Sequence, residues 1–203
     1  MRAIFLDRDG VICENRTDHV KSWDEFRFVP GARESLAALS RLGMPIVVVT
    51  NQAAINRGMT TTAAVEDIHR RMVAEVEAFG GRIDRVLYCP HRPEEHCKCR
   101  KPEPGMLLHA ATEMGIDLAR SYMVGDALTD MQAGLAVGAE TILVLSGRGF
   151  RQLLPALHTL GDSLFVVRSL VGATAHILNA ELLHSRVQPA VSAPVAGIFR
   201  NYV

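Results

Sequence analysis

Short apolar runs that alternate with helical patterns constrain the fold of this chain more than any other feature of its sequence. Strands of this kind, each followed by a helix, are typical of a mostly parallel sheet with helices on both faces. The predicted strands span residues 3–6, 45–50, 84–88, 121–125, 140–145 and 164–167. The element order is therefore β-α-β-α-β-loop-α-β-α-β-α-β-α, which predicts a Rossmann-like α/β fold.

Three segments between these strands show helical periodicity. The apolar positions that recur in residues 32–42 are Leu36, Leu39 and Leu42. The stripe in residues 61–79 comprises Val65, Ile68, Met72, Val76 and Phe79. The stripe in residues 105–115 comprises Leu107, Leu108, Ala111 and Met114. We expect Gly43 and Gly115 to end the first and third helices, because glycine readily adopts the left-handed conformation found there.

Length and charge narrow the class of protein further. The chain has 203 residues, which suits one domain; we assign residues 1–180 to it and leave 181–203 as a tail without a role. Because 22 Lys and Arg balance 22 Asp and Glu, charge favours neither a nucleic acid nor a membrane as partner. The sequence shows no apolar run of membrane-spanning length and no signal peptide, so we expect a cytoplasmic protein.

Polar residues follow several of the predicted strands. Asp7 and Asp9 come after the first strand, Thr50 and Asn51 close the second, and Asp126 follows the fourth. In open sheets of this type, ligands bind beyond the carboxyl ends of the strands. These five residues are therefore candidates for one site.

The acidic residues of this candidate site predict a bound cation. Two carboxylates about 4 Å apart repel by about 4 kcal/mol at an effective dielectric constant of about 20, and Asp126 adds a third charge. A cluster of oxygen ligands that leaves room for water and phosphate suits Mg²⁺. Lys101 would supply a point charge for that phosphate. A turn or a helix cap is the plain alternative for Asp7 and Asp9, but it leaves the other groups unexplained.

Residues 89–99 contain a second candidate metal site. Cys89, His91, Cys97 and Cys99 have the spacing Cys-x-His-x5-Cys-x-Cys. Three thiolates and one imidazole form a closed tetrahedral set, which is typical of structural Zn²⁺. Incidental cysteines or a Cys97–Cys99 disulfide are the alternatives, and His96 is a less suitable ligand than His91 because it adjoins Cys97.

The first site resembles that of the haloacid dehalogenase (HAD) superfamily. The matching residues are Asp7-Arg8-Asp9-Gly10-Val11-Ile12, Thr50, Lys101 and Gly125-Asp126 with Asp130. The resemblance implies a magnesium-dependent phosphatase in which Asp7 attacks phosphorus and Asp9 is the general acid and base. It also implies that Asp7, the backbone carbonyl of Asp9, and Asp126 hold Mg²⁺, with Asp130 either behind these ligands or linked to the metal. Thr50 and Lys101 would then bind the transferring phosphoryl group.

The cysteine–histidine loop resembles that of a zinc-bearing HAD subgroup, which includes D-glycero-D-manno-heptose 1,7-bisphosphate phosphatases and histidinol phosphatases. The loop runs directly into Arg100 and Lys101, so zinc would hold both residues toward the phosphate. A solvated surface charge is the alternative for Arg100. No segment between the motifs has room for a large cap domain.

Residues after Thr50-Asn51 distinguish the two branches of this subgroup. The run Thr50-Asn51-Gln52-x-x-Ile55-x-Arg57-Gly58 matches the heptose branch. A second phosphate on the substrate would explain Arg57, and an exposed arginine that flanks a helix is the alternative. The resemblance therefore implies D-glycero-D-manno-heptose 1,7-bisphosphate as substrate, with removal of the 7-phosphate. Ala53-Ala54 and Ala127 depart from that branch, and Arg16 adds an unusual cation. Histidinol phosphate or another small sugar phosphate is the alternative substrate.

Other classes of protein fit less well. A receiver-type signalling domain also uses acidic residues, Thr and Lys on a parallel sheet, but in a different order along the chain. A zinc-knuckle nucleic-acid binder would need a basic stripe and more aromatic residues than the one Trp and three Tyr of this chain. A phosphate-binding pseudoenzyme would not require the complete acidic set. We expect a monomer whose partner is a small phosphorylated metabolite.

Overall fold

A six-stranded parallel sheet forms the centre of the molecule. The computed structural model describes residues 1–161 and 164–187, without the side chains of 185–187. The strands are β1 (Ile4–Leu6), β2 (Ile46–Asn51), β3 (Arg85–Cys89), β4 (Tyr122–Gly125), β5 (Glu140–Val144) and β6 (Phe165–Val167). Their order is β3-β2-β1-β4-β5-β6, with every pair parallel. The predicted α/β class is confirmed, and each predicted strand lies within one residue of an observed one.

Six α-helices within the described part of the chain connect and cover these strands. They are α1 (Ala32–Ser40), α2 (Thr62–Ala78), α3 (Gly105–Met114), α4 (Leu128–Leu135), α5 (Gly149–Leu160) and α6 (Leu170–Val187). The predicted boundary at residue 180 falls within α6, and residues 188–203 of the predicted tail lie outside the described part of the chain. The helices among the described residues include none that is long and apolar enough to cross a membrane.

Three details of the predicted helices are wrong. α1 ends at Ser40, three residues before Gly43. The helix stops there because the Arg41 amide already donates to the carbonyls of Ala38 and Leu39 in its last turn. Phe79 caps the end of α2 and is 44% exposed, and Leu108 points outward and is 49% exposed. Met106 and Ala110 fill the buried face of α3 instead. Gly115 does end α3, with φ at 65°.

The side chains of β1 divide the core into two layers. Ile4 and Leu6 face the layer that contains α1, α2 and α6, whereas Phe5 faces the layer that contains α3 and α4. This alternation follows from the period of two along a strand. Apolar side chains on both sides of β1 are fully buried, so β1 lies at the centre of the molecule.

The chain reverses its direction of winding between β1 and β4. β1 pairs with β2 on one side and with β4 on the other, and the connections leave toward opposite edges of the sheet. Such a switch point opens a crevice beyond the carboxyl ends of the two strands. The segment from Asp7 to Gly31 contains a 3-10 turn at Trp23–Glu25 and no inserted domain, so the described residues leave the crevice uncovered by a cap.

Candidate active site

Three buried carboxylates lie together in this crevice. Asp7 follows β1, Asp126 follows β4, and Asp130 is in the first turn of α4. One carboxylate oxygen from each lies within 4.8 Å of the others. The Asp7 amide donates to the carbonyl of Val124 at 2.9 Å, which extends the β1–β4 ladder and fixes where the Asp7 side chain begins. The structure thus brings the predicted acidic cluster together.

Lys101 lies between two of these carboxylates. Its Nζ is 2.9 Å from Asp7 Oδ1 and 2.6 Å from Asp130 Oδ1, and it donates to the Val49 carbonyl at 2.7 Å. The Asn51 side chain in turn bonds both the carbonyl and the amide of Lys101, at 3.0 and 3.1 Å. Asn51 therefore orients Lys101, in addition to being a candidate phosphate ligand.

Asp130 also caps the helix that begins behind the site. Its Oδ2 accepts a hydrogen bond from the Ala127 amide at 3.0 Å, while its Oδ1 pairs with Lys101. A carboxylate at this position satisfies an otherwise free amide and complements the positive end of the helix dipole. Asp130 thereby ties α4 to the lysine.

Burial changes the acidity of Asp7. Loss of hydration raises the pKa of Asp7 to about 7; Lys101 opposes this rise, and the charges of Asp130 and Asp126 add to it. The charged form of a buried carboxylate needs a compensating cation. Lys101 alone does not restore the ordinary pKa, so the acidic cluster has the electrostatics of a cation site.

Asp9 has a different environment. Both of its oxygens accept from Nη2 of Arg8 at 3.0 Å, and Oδ2 also accepts from Gln52 Nε2 at 2.8 Å. The Cys13 thiol lies 3.5 Å from Oδ1. Burial pushes the pKa of Asp9 upward, but the charge of Arg8 and the hydrogen bonds from Arg8 and Gln52 outweigh it, so the pKa lies below its usual value.

Two loops pack closely around Asp126. A Cβ atom at Gly10 or at Gly147 would overlap with Asp126 Oδ2, so only glycine fits at these positions. Arg148 holds the same carboxylate through Nη2, 2.9 Å from Oδ1, and through its amide, 2.7 Å from Oδ2. The loop after β5 is therefore part of the site.

The predicted zinc ligands also come together. Cys89, His91, Cys97 and Cys99 each offer a ligand atom within 4.8 Å of the others. The sulfur atoms are 3.1–3.5 Å apart, and all four cysteines of the described chain are free, so the alternative Cys97–Cys99 disulfide does not form. His96 lies outside the cluster and ends a 3-10 turn with φ at 46°. The arrangement fits a tetrahedral metal ion.

A cavity of about 480 Å³ opens above the acidic cluster. The predicted residues on its wall are Asp7, Asp9, Thr50, Asn51, Arg57, Arg100, Lys101 and Asp130. Asp126 is fully buried beneath them. Arginines from several loops form its rim, and they are Arg16, Arg57, Arg100, Arg148 and Arg151. An acidic floor under a basic rim suits an anionic ligand that carries more than one charge.

Three further residues of the site, Arg8, Gln52 and Arg148, were not predicted from the sequence. Arg148 could have been found, because Ser146, Gly147 and Arg148 follow β5 as the other site residues follow their strands. Gln52 could have been found in the same way after β2. Arg8 lies next to two candidate carboxylates, but its sequence position does not show that its guanidinium is fully buried.

The sheet order and this acidic site, with a threonine and a lysine at its edge, define a HAD-type hydrolase. The family described as HAD-hydrolase-like matches residues 98–172. The chain is 43% identical over 156 residues to the D-glycero-beta-D-manno-heptose-1,7-bisphosphate 7-phosphatase of Escherichia coli K12, covering 72% of this chain and 80% of that protein. It is 40% identical over 169 residues to the protein of that name from Pseudomonas aeruginosa, covering 82% and 95%.

A solved structure gives the same result. The D,D-heptose 1,7-bisphosphate phosphatase of Bordetella bronchiseptica, complexed with magnesium and phosphate, superimposes with a TM-score of 0.84 at 36% identity, covering 89% of this chain and 99% of that one. The chain belongs to the D-glycero-beta-D-manno-heptose-1,7-bisphosphate 7-phosphatase family of HAD hydrolases. The predicted enzyme class, a phosphatase, is confirmed, and the receiver-domain alternative is wrong.

Proposed function

We propose that this enzyme removes the 7-phosphate of D-glycero-β-D-manno-heptose 1,7-bisphosphate. One observation carries the proposal: the cavity combines an acidic floor with Lys101, where one phosphate can react, and an arginine rim, where a second can bind. Arg57, on that rim, is the residue that distinguished the heptose branch in the sequence. The names of the relatives in E. coli and P. aeruginosa support the same substrate.

Asp7, the backbone carbonyl of Asp9, and Asp126 would hold Mg²⁺. The fit rests on three carboxylates of near-zero exposure whose oxygens lie within 4.8 Å of one another. The hard oxygen donors and the room for phosphate suit this ion. When bound, Mg²⁺ would neutralise part of the charge on Asp7 and on the phosphoryl oxygens. Magnesium is also present in the Bordetella structure.

Asp7 would begin the reaction as the nucleophile. Its free carboxylate oxygen forms a bond to phosphorus while the bond between phosphorus and the sugar oxygen breaks, and the electron pair stays on that oxygen. Asp9 would give a proton to the leaving oxygen, which departs as an alcohol. Because Arg8 and Gln52 hold the pKa of Asp9 below its usual value in the ligand-free site, the negative charge of the bound phosphate would have to raise that pKa for Asp9 to carry the proton. Thr50 and Lys101 hold the phosphoryl oxygens in line, and positioning of this kind accounts for most of the catalysis of phosphoryl transfer.

Asp9 would then act as a general base in the second step. It accepts a proton from a water molecule whose oxygen bonds to phosphorus, and the bond between phosphorus and Asp7 breaks. Both electrons return to the Asp7 carboxylate, and inorganic phosphate leaves. The covalent intermediate divides one difficult step into two easier steps.

The four-ligand cluster of residues 89–99 would hold a structural Zn²⁺. All four positions come from the chain, so none is open to a catalytic water. Arg100 Nη1 donates to the His91 carbonyl at 3.0 Å, which ties the residue before Lys101 to the cluster. We assign residues 1–180 and the rest of α6 to one catalytic domain that includes this loop.

A phosphate-release assay with Mg²⁺ tests the proposed substrate. Heptose bisphosphates, hexose bisphosphates and histidinol phosphate are compared at equal concentration, with the Asp7→Asn variant as control. We expect the highest kcat/KM with the β-heptose bisphosphate and no turnover by the variant, which should keep its melting temperature within a few degrees. Preference for histidinol phosphate would refute the substrate, and turnover by Asp7→Asn would refute the nucleophile.

A further inference from the structure

Arg8 is the largest fully buried side chain in the described part of the chain, and it does not touch the cavity. Its guanidinium carries a charge at 0% exposure and pairs with one carboxylate, that of Asp9. Its Nε has no hydrogen-bond partner. Burying an arginine in this way costs free energy that a single ion pair recovers poorly, and a well-packed apolar residue would stabilise the fold at least as well. Stability therefore does not account for Arg8.

His69 holds the other side of this guanidinium. Nη1 of Arg8 lies 3.0 Å from His69 Nε2, and the ring is only 6% exposed on the otherwise apolar inner face of α2. A guanidinium has no acceptor, so Nε2 of His69 must be the acceptor and the ring must carry its proton on Nδ1. His69 is therefore neutral, and α2 supplies a fixed acceptor to Arg8.

Because Arg8 is held in this way, the Asp9 carboxylate accepts hydrogen bonds on both of its oxygens. Arg8 reaches both oxygens, Gln52 adds a bond to Oδ2, and the Cys13 thiol approaches Oδ1. The second hydrogen of the Gln52 amide goes to Thr50 Oγ1 at 2.8 Å. The plane of the carboxylate is thus set from behind, while Asp9 itself remains on the cavity wall with its side chain 19% exposed.

We propose that Arg8 and His69 are positioning residues that hold the Asp9 carboxylate for its two proton transfers. The inference rests on the proposed function, because it assigns the general acid and base to Asp9. Arg8 fixes the carboxylate and His69 fixes Arg8, so the loss of His69 should act on catalysis through two successive contacts. Neither residue reaches the substrate, and substrate affinity should not depend on them.

Two variants of His69 separate this role from a purely structural one. His69→Gln can keep an acceptor for Arg8, whereas His69→Leu fills the apolar face of α2 and removes the acceptor. We expect His69→Leu to lower kcat for the sugar bisphosphate by at least about tenfold, since general acid–base catalysis contributes about 10²–10⁴-fold. KM should stay within about twofold, and His69→Gln should recover most of kcat. Measurements of thermal unfolding and zinc content would check that both variants fold.

A second substrate identifies the affected step. The p-nitrophenolate leaving group needs no proton, so attack by Asp7 on p-nitrophenyl phosphate does not depend on Asp9, whereas hydrolysis of the aspartyl phosphate does. In His69→Leu we expect a rapid burst of about one p-nitrophenolate per active site, followed by slow turnover. Wild-type kcat in a folded His69→Leu, an equal loss in His69→Gln, or an equal slowing of burst and turnover would each overturn the proposal.

The same measurements separate this proposal from the proposed substrate. If the wild-type enzyme turned over p-nitrophenyl phosphate but not the heptose bisphosphate, the substrate would be wrong while the burst still tested Arg8 and His69. If the double variant Asp7→Asn/His69→Leu gave the same burst as His69→Leu, the covalent mechanism and this proposal would both fall. Arg8→Lys adds a further test, because an ammonium group lacks the planar fork that reaches His69 through Nη1 and Asp9 through Nη2, and this variant should lose kcat in the same way.

Discussion

At the scale of single residues, the close contact between Gly10 and Asp126 allows the role of Asp126 in the site to be tested by substitution. Gly10 has φ at 89°, and a Cβ atom there would overlap with a carboxylate oxygen that the proposed Mg²⁺ requires. Gly43 has φ at 70° with no atom within 4 Å of its Cβ position, so it serves as a control for backbone strain alone.

We therefore expect Gly10→Ala to lose most of its activity and Gly43→Ala to keep it. Backbone strain at a positive φ costs about 1–3 kcal/mol, and both variants should show that loss in urea unfolding. Only Gly10→Ala should also displace Asp126 and raise the Mg²⁺ concentration that gives half-maximal kcat/KM. Wild-type activity in Gly10→Ala would mean that Asp126 is free to move without consequence.

His69 should make the stability of the protein depend on pH. Burial, with the charge of Arg8, lowers the pKa of His69 to about 3 from 6.5, although Asp9 partly opposes this. Below pH 6.5 the unfolded chain takes up a proton that the folded chain refuses, so acid favours unfolding between pH 6.5 and about 3. One such group costs about 1.4 kcal/mol per pH unit, or about 2 kcal/mol between pH 7 and pH 5.

Urea unfolding of wild type and His69→Gln at the two pH values measures this effect. The free energy of unfolding of wild type should fall by about 2 kcal/mol more than that of the variant, which lacks the titrating ring. Equal changes in the two proteins would show that the ring titrates normally in the folded state.

At the scale of structural elements, the cysteine–histidine loop connects β3 to Lys101. The loop contains only a 3-10 turn, so a bound metal would supply most of its internal constraint. We expect Cys97→Ser to lose zinc and to reduce kcat, because Lys101 loses its support, while the melting temperature falls. His96→Asn is the matched control, since asparagine tolerates the left-handed backbone and His96 lies outside the cluster. Full zinc content and activity in Cys97→Ser would exclude this role.

The elements themselves were largely predictable from the sequence. Each strand is an apolar run of few residues between polar or glycine-containing segments, and the match to within one residue reflects that clear pattern. Helix faces were harder to predict, because the choice between Leu108 and Met106 depends on how α3 is rotated against the sheet. Periodicity alone fixes the spacing of a stripe and not which of two neighbouring stripes is buried.

The site was predictable only in part. Asp7, Thr50, Lys101 and Asp126 follow strands or a recognisable motif, and the structure brings them together. Arg8 and His69 pair across 61 residues of sequence, and that contact depends on how α2 packs beneath the end of β1. An arginine beside two aspartates is consistent with a surface charge, so its burial is a property of the tertiary structure alone.

At the scale of the whole molecule, the two edges of the sheet differ in how firmly they are held. The end of β3 carries Cys89, which belongs to the four-ligand cluster with His91, Cys97 and Cys99 of the loop that follows. The opposite edge, β6, is three residues long and half exposed, and α5 beside it leaves Phe150 and Leu154 more than 70% exposed. Local opening should therefore begin at β6.

Because β1 and β4 lie at the centre of the sheet, their amides should exchange hydrogen more slowly than those of the edge strand β6. Amides of β1 and β4 should exchange only when the whole domain unfolds, whereas those of β6 should exchange through small local openings. Mass spectrometry of deuterium uptake along the chain measures both. Because Asp7, the proposed nucleophile, follows the strand expected to be most protected, heating should fray the β6 edge well before it abolishes turnover. Activity should then outlast the first loss of structure.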